Sequence, residues 1–166
     1  MSSIAPTQHT RRKGQTTDDW ITPKWLIDRL GLFDLDPCAC KPQPWPCAKE
    51  QMTDNGLISP WNGMVYVNPP YGLATAHWLE RLAHHGNGMA LVFARTETNM
   101  FFYYVWPMAT ALLFIRGRLT FCKPSGEPAE HNSGGPSVLI AYGDEAAARF
   151  LPCEDLGKIV LLKGLK

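Results

Sequence analysis

The run Asn68-Pro69-Pro70-Tyr71, standing after the apolar Met64-Val65-Tyr66-Val67 and before Gly72, is where the sequence concentrates its chemistry. Consecutive prolines carry no N–H and hold φ at about −65°, so a strand that ends this way presents acceptors and one ring beyond the sheet edge. Such an arrangement suits methyl transfer to a planar amine. The lone pair of an exocyclic amine is delocalised into its ring. The Asn68 side-chain oxygen and the Pro69 carbonyl, accepting the amine's two N–H groups, draw that pair back toward nitrogen, and Tyr71 offers a ring for stacking. A tight turn after a buried strand favours the same residue types, so the surroundings of the tetrapeptide must decide.

Positioning these groups takes a scaffold. Thr22 reads as an N-cap and Pro23 as the first residue of a helix that runs to Leu30, with Trp25, Leu26 and Leu30 on one face and Gly31 as the stop. Leu32 to Leu35 then reads as a short strand that delivers Asp36 at its carboxyl end. Residues 37–63 hold five prolines and little periodicity, a long irregular connection of the kind that is usually functional or disordered. Met64 to Val67 is the second strand, and Ala74 to His85 an amphipathic helix with Trp78, Leu79, Leu82 and Ala83 inward. Met89 to Phe93 makes a third strand. A helix over Thr98 to Trp106, stopped by Pro107, leads to a fourth strand, Ala111 to Ile115. Ser137 to Tyr142, a helix around Glu145 to Phe150 and a strand Ile159 to Leu162 complete an α/β sheet with helices on both faces. Ligands of such sheets lie at the carboxyl ends of the strands, where Asp36, Asn68 to Tyr71 and Arg95 all fall.

With 166 residues, 45% hydrophobic and 19% charged, the chain fits a single domain over 18–166 preceded by a polar arm, residues 1–17. The formal net charge of +1 excludes a strongly basic nucleic-acid binder, so affinity for phosphate must come from local clusters. Arg11-Arg12-Lys13 in the arm is the densest of these, and a solvated tail is the competing reading. The sequence has neither an apolar stretch of membrane-spanning length nor a signal-peptide pattern, and a cytoplasmic protein is expected. Cys38, Cys40, Cys47, Cys122 and Cys153 form an odd, uneven set, unlike a disulfide framework. The first three lack the paired spacing of a zinc knuckle, and no metal is expected.

Taken together, Asp19-Trp20-Ile21-Thr22-Pro23, Phe33-Asp34-Leu35-Asp36-Pro37-Cys38-Ala39, Asp54-Asn55-Gly56-Leu57, Trp61, Val67 to Gly72, Ala94 to Thr98 and Arg116 to Phe121 resemble the phage-type DNA N-6-adenine methyltransferase (Dam) family over most of residues 19–142. The resemblance implies an abbreviated Rossmann-like methyltransferase sheet, S-adenosylmethionine as methyl donor and an adenine of double-stranded DNA as acceptor. It carries the catalytic motif onto Asn68, Pro69, Pro70 and Tyr71. Thr22-Pro23 and Asp36-Pro37 resemble the segments that border the cofactor, as does Asp54, for which an Asx-turn is the competing reading. The location would be the host cytoplasm if a phage carries the gene. No protein partner is indicated.

One departure stands out. Asp36-Pro37 is followed by Cys38-Ala39-Cys40-Lys41 instead of a glycine-rich turn, and the interval from Asp36 to Asn68 is short for a full Rossmann half. A strand or helix is therefore expected to be replaced by the proline-rich loop. Phe121 is a candidate second aromatic wall for the base or a core residue. Arg95, Arg116 and Arg118 are candidates for holding phosphate or the cofactor carboxylate, Arg95 first among them. Trp45 and Trp61 are expected to pack the long loop, with a share in cofactor stacking open for Trp61. Two alternatives remain: an amino-methyltransferase acting on cytosine N4 or a protein glutamine, and a DNA-binding protein of the same fold without turnover. Little of the chain is free for base readout, so short or relaxed sequence specificity is expected.

Overall fold

In the computed structural model, which describes residues 19–163, seven strands form one mixed sheet in the order β2-β1-β3-β4-β6-β5-β7. The strands are β1 (Phe33–Asp36), β2 (Ala48–Gln51), β3 (Val65–Val67), β4 (Gly88–Phe93), β5 (Ala111–Ile115), β6 (Ser137–Tyr142) and β7 (Gly157–Leu161). The first four run parallel, while β6 is antiparallel to both β4 and β5, and β7 to β5. From β1 the chain passes outward to β2 and then returns to the opposite side of β1 as β3. That reversal opens a crevice at the carboxyl ends of β1 and β3.

Alternation along the central strands builds two cores, one on each face. Met89 and Leu91 of β4, Leu139 and Ala141 of β6, and Ala111 and Leu113 of β5 point to one side. There they meet Leu26, Ile27 and Leu30 of α1 (Lys24–Leu30) and Ala146 and Ala147 of α3 (Asp144–Ala148). Ala90, Val92, Val138, Ile140 and Leu112 point to the other, against Trp78, Leu79 and Leu82 of α2 (Thr75–His85) and Phe101 and Val105 of a π-helical turn (Phe101–Val105). Gly86 ends α2 in the left-handed conformation, φ 75°. Helices on both faces agree with the expected α/β layering.

Several expectations need correction. Thr22 does not cap α1: Pro23 holds the N-cap position, and the Thr22 hydroxyl is instead buried 2.7 Å from the Tyr66 hydroxyl. Trp25 is 48% exposed, because on a 3.6-residue helix it lies nearly opposite Ile27, which takes the inward place with Leu26 and Leu30. The 37–63 connection contains a strand, β2, paired parallel to β1 from Phe33↔Ala48 to Asp36↔Gln51. Its Ala-Lys-Glu-Gln sequence gave no signal because it is an edge strand with one buried side chain. The interval therefore keeps its strand and lacks a helix in both connections, β1 to β2 and β2 to β3. The helix expected over 98–106 is the shorter π-helical turn, closed by a Trp106 N–H to Phe101 carbonyl bond of 2.9 Å, and a 3-10 helix (Leu151–Leu156) follows α3 unannounced. The arm with Arg11-Arg12-Lys13 lies outside the described residues.

Candidate active site

Asp36 is the last residue of β1 and Asn68 the first after β3, so two adjacent parallel strands deliver a carboxyl and an amide to the same crevice. The Asn68 Nδ2 donates to the Trp20 carbonyl at 2.7 Å. A carbonyl can only receive an N–H, so this contact fixes the amide's orientation and leaves Oδ1 as an acceptor. On the other side the Asn68 carbonyl accepts the Cys38 thiol at 3.1 Å. The motif is thus gripped from the segment before α1 and from the turn after β1.

Asp36 is 4% exposed, and the Cys38 N–H bonds its Oδ1 at 3.0 Å. No salt bridge to it occurs among the described residues. Burial pushes its carboxyl up to about 7, with the Cys38 hydrogen bond pulling the other way. Such a group favours a cationic neighbour, which would restore its charge.

A cleft of about 210 Å³ lies between the turn Pro37 to Cys40, the segment Thr53 to Gly56, the motif Asn68 to Tyr71, and Trp78. Asp54 lines it, exposed, with its Oδ2 accepting the Thr53 hydroxyl at 3.2 Å. Asn55 takes the left-handed conformation, φ 56°, which Asn tolerates. At Gly56 a Cβ would stand 1.7 Å from the Pro37 carbonyl oxygen, so the backbone packs there as only glycine allows. Arg81 of α2 holds this loop by donating to the carbonyls of Gly56, Leu57 and Ser59. Its guanidinium also lies 4.4 Å from the centroid of the Trp61 ring. Trp61 in turn stacks on Trp78 and donates its Nε1 proton to the Gly56 carbonyl at 2.7 Å. Trp61 therefore packs the loop, as does Trp45, which donates to the Thr22 carbonyl at 3.0 Å.

Two further cavities border Tyr71. One, about 250 Å³, is walled by Trp20, Tyr71, Phe93 and Phe121 and rimmed by residues 129 and 131–134. The other, about 440 Å³, runs past Tyr71, Leu73, Phe93 and Arg95. Tyr71 stacks on Phe93 with centroids 4.3 Å apart and planes 11° apart, and meets Phe121 edge-on at 6.4 Å. Its hydroxyl is buried without a hydrogen-bond partner among the described residues, and burial raises its pKa. One face of the ring is thus occupied already.

Of the residues singled out from the sequence, Pro37, Asp54, Asn68, Pro69, Pro70 and Tyr71 line the first cleft. Phe121 is both buried and a wall of the aromatic slot, so the two readings of it hold together. Thr22 and Asp36 border a narrow recess behind the cleft, and Pro23 is buried at the start of α1. Arg95 reaches the third cavity, whereas Arg116 and Arg118 are exposed and line none of the three. Trp20, Phe93, Trp78 and Arg81 were not foreseen as site residues. Trp20 stood inside a motif segment and Phe93 at the carboxyl end of its strand, yet only the folded chain brings both to Tyr71. Among the described residues no group of three or more His, Cys, Asp or Glu is placed to hold a metal ion, and no helix is long and apolar enough to cross a membrane.

The model of the DNA N-6-adenine-methyltransferase (Dam) family matches residues 9–149, well over half of the chain. Neither curated proteins nor solved structures give a match.

Proposed function

The chain belongs to the DNA N-6-adenine-methyltransferase (Dam) family, and on that footing we propose that it transfers a methyl group from S-adenosylmethionine to the exocyclic amine of an adenine turned out of double-stranded DNA. The sheet order and the crevice beside β1 and β3 support reading the fold as an abbreviated Rossmann-like methyltransferase domain that spans 18–166. The observation that carries the proposal is the fixed Asn68 amide, whose Oδ1 is left as an acceptor beside the Pro69 backbone.

The first cleft fits the methyl donor on chemical grounds. Asp36, buried with no cationic partner among the described residues, suits a positively charged amino-acid portion reaching the recess behind the cleft, which it borders with Thr22; Pro37 on the cleft wall and Pro23 beside Thr22 would frame that end. Asp54, the close-packed Gly56 and the Trp78 ring would hold the nucleoside end. When bound, S-adenosylmethionine supplies a methyl group on positively charged sulfur, the electrophile of the transfer. The chain's own residues then prepare the amine. Asn68 Oδ1 and the Pro69 carbonyl accept its N–H groups and raise electron density on nitrogen, a preorganised electrostatic contribution of the kind worth roughly 10²–10³ in rate per group. No strong general base is needed, since the product nitrogen loses its proton readily once methylated.

The slot of Trp20, Tyr71, Phe93 and Phe121 would receive the adenine ring. An amine held in a base pair is out of reach, so the base must leave the stack, and aromatic contacts return about 1–3 kcal/mol per base. Because Phe93 covers one face of Tyr71, the base would use the other face or the Phe121 side. Arg95 would take a phosphate at the neighbouring cavity, with Arg118 farther out along the DNA.

Transfer of labelled methyl from S-adenosylmethionine to unmethylated duplex DNA, followed by nucleoside analysis, tests the reading beside Asn68→Ala. N6-methyladenine formed by the unmutated protein alone is the expected result. Methylcytosine, or no incorporation into DNA despite cofactor binding, would overturn it in favour of another acceptor or a binding role.

A further inference from the structure

We infer that Leu73 is the side chain that enters the base stack when the target adenine leaves it, an inference that rests on the reading of a duplex DNA substrate given above. Leu73 is 96% exposed, two residues beyond the ring that borders all three cavities. Leucine left in water keeps its whole apolar surface hydrated, and a gap between stacked base pairs offers the flat apolar surface that would cover it. Proteins that bend or open a duplex use leucine, isoleucine, methionine or phenylalanine in this way.

The mounting of Leu73 supports the role. A wedge must keep its position while the stack parts around it, and the turn beneath Leu73 is braced. The Thr75 hydroxyl donates to the Pro70 carbonyl at 2.7 Å, and the Thr75 N–H to the Gly72 carbonyl at 3.2 Å. Gly72 stands at φ 120° with no described residue within 4 Å of where a Cβ would lie, so the turn projects away from the described residues. Thr75 itself is buried at the start of α2, which ties the turn to a rigid helix. Arg95 and Thr98 border the same groove, and a cation there complements the phosphate of a strand running past Leu73. Tyr71 walls both this groove and the aromatic slot, so a base leaving the stack beside Leu73 has a direct route between them.

Once the methylated sequence has been mapped with the unmutated protein, two duplexes test the inference. In one the target adenine is paired; in the other it lies opposite an abasic position, where leaving the stack costs less. Leu73→Ala should methylate the paired duplex at least about tenfold more slowly, because it loses the compensation for unstacking, and should work at close to the unmutated rate on the abasic duplex. Leu73→Met should retain activity on both. Leu151→Ala, another exposed leucine, on the 3-10 helix that packs on α1, should match the unmutated protein throughout. Unchanged methylation of the paired duplex by Leu73→Ala, or an equal loss on both duplexes, would overturn the role of Leu73 while leaving the enzyme assignment intact. Failure of the unmutated protein to methylate any DNA would instead overturn the assignment, and the inference with it.

Discussion

At the scale of single residues, two buried groups have consequences that can be measured. The folded protein holds the Asp36 proton up to about pH 7, whereas an unfolded aspartate releases it near pH 4. Between these values the folded state binds more protons than the unfolded one, so stability falls as pH rises through that window and levels off above it. Asp36→Asn should remove the fall and unfold at higher urea concentration than the unmutated protein at pH 8, by up to a few kcal/mol. Urea melts at pH 4.5, 6 and 8 would show it, and an unchanged slope would mean that Asp36 is charged in the fold. Tyr71 differs because only its ring has partners. Its hydroxyl is buried without one among the described residues, a cost of about 1–3 kcal/mol, so Tyr71→Phe should be neutral or stabilising and keep most activity. Tyr71→Ala should lose base binding and the stack on Phe93, the latter worth about 0.5–1.5 kcal/mol beyond buried area. Equal kinetic damage from both substitutions would show that the hydroxyl matters more than the ring.

At the scale of elements, the cleft depends on a loop without regular structure being held still. Residues 53–59 are secured from two sides: Gly56 packs on the Pro37 carbonyl after β1, and Arg81 reaches out from α2 to three loop carbonyls. A methyl group at Gly56 cannot be accommodated at 1.7 Å from a backbone oxygen, and the loop must move away from β1. Gly56→Ala should therefore raise the dissociation constant for S-adenosylmethionine by tenfold or more, roughly the effect of losing one well-placed contact set, while far-ultraviolet circular dichroism stays close to that of the unmutated protein. Calorimetric titration of the cofactor would measure this. Unchanged affinity would place the cofactor away from this loop.

At the scale of the whole molecule, most of the chain is spent on the sheet and its two cores. Among the described residues, the segments left to meet DNA are the proline-rich connection, the loop between Lys123 and Pro136, and the edges of the three cavities. Reading a base pair takes dedicated side chains in the major groove, and a surface this small supplies few. Sequencing of DNA methylated by the purified protein should yield a recognition site of no more than about five bases, or several related short sites. A single longer motif would mean that residues beyond this surface take part in readout.

Much of the candidate site was legible because chemistry and chain geometry coincide locally. Asn68 to Tyr71 directly follow an apolar strand, Asp36 ends another, and glycines mark where α1 and α2 stop; periodicity and turn chemistry fix such features within a few residues of sequence. The central strands were legible for the same reason, since burial on both faces leaves uninterrupted apolar runs such as Met89 to Val92 and Val138 to Tyr142. Strand β2 was not, because an edge strand answers to backbone pairing with β1 and its side chains carry little of that signal. The grip of Trp20 on Asn68, the Tyr71–Phe93 stack and the Arg81 anchor join residues 48, 22 and some 24 positions apart. Local sequence determined which polar and aromatic groups stand at the strand ends; only tertiary packing decided which way the amide points, which ring face Phe93 covers and which carboxyl lies buried with no cation beside it among the described residues, because each depends on neighbours that distant segments supply.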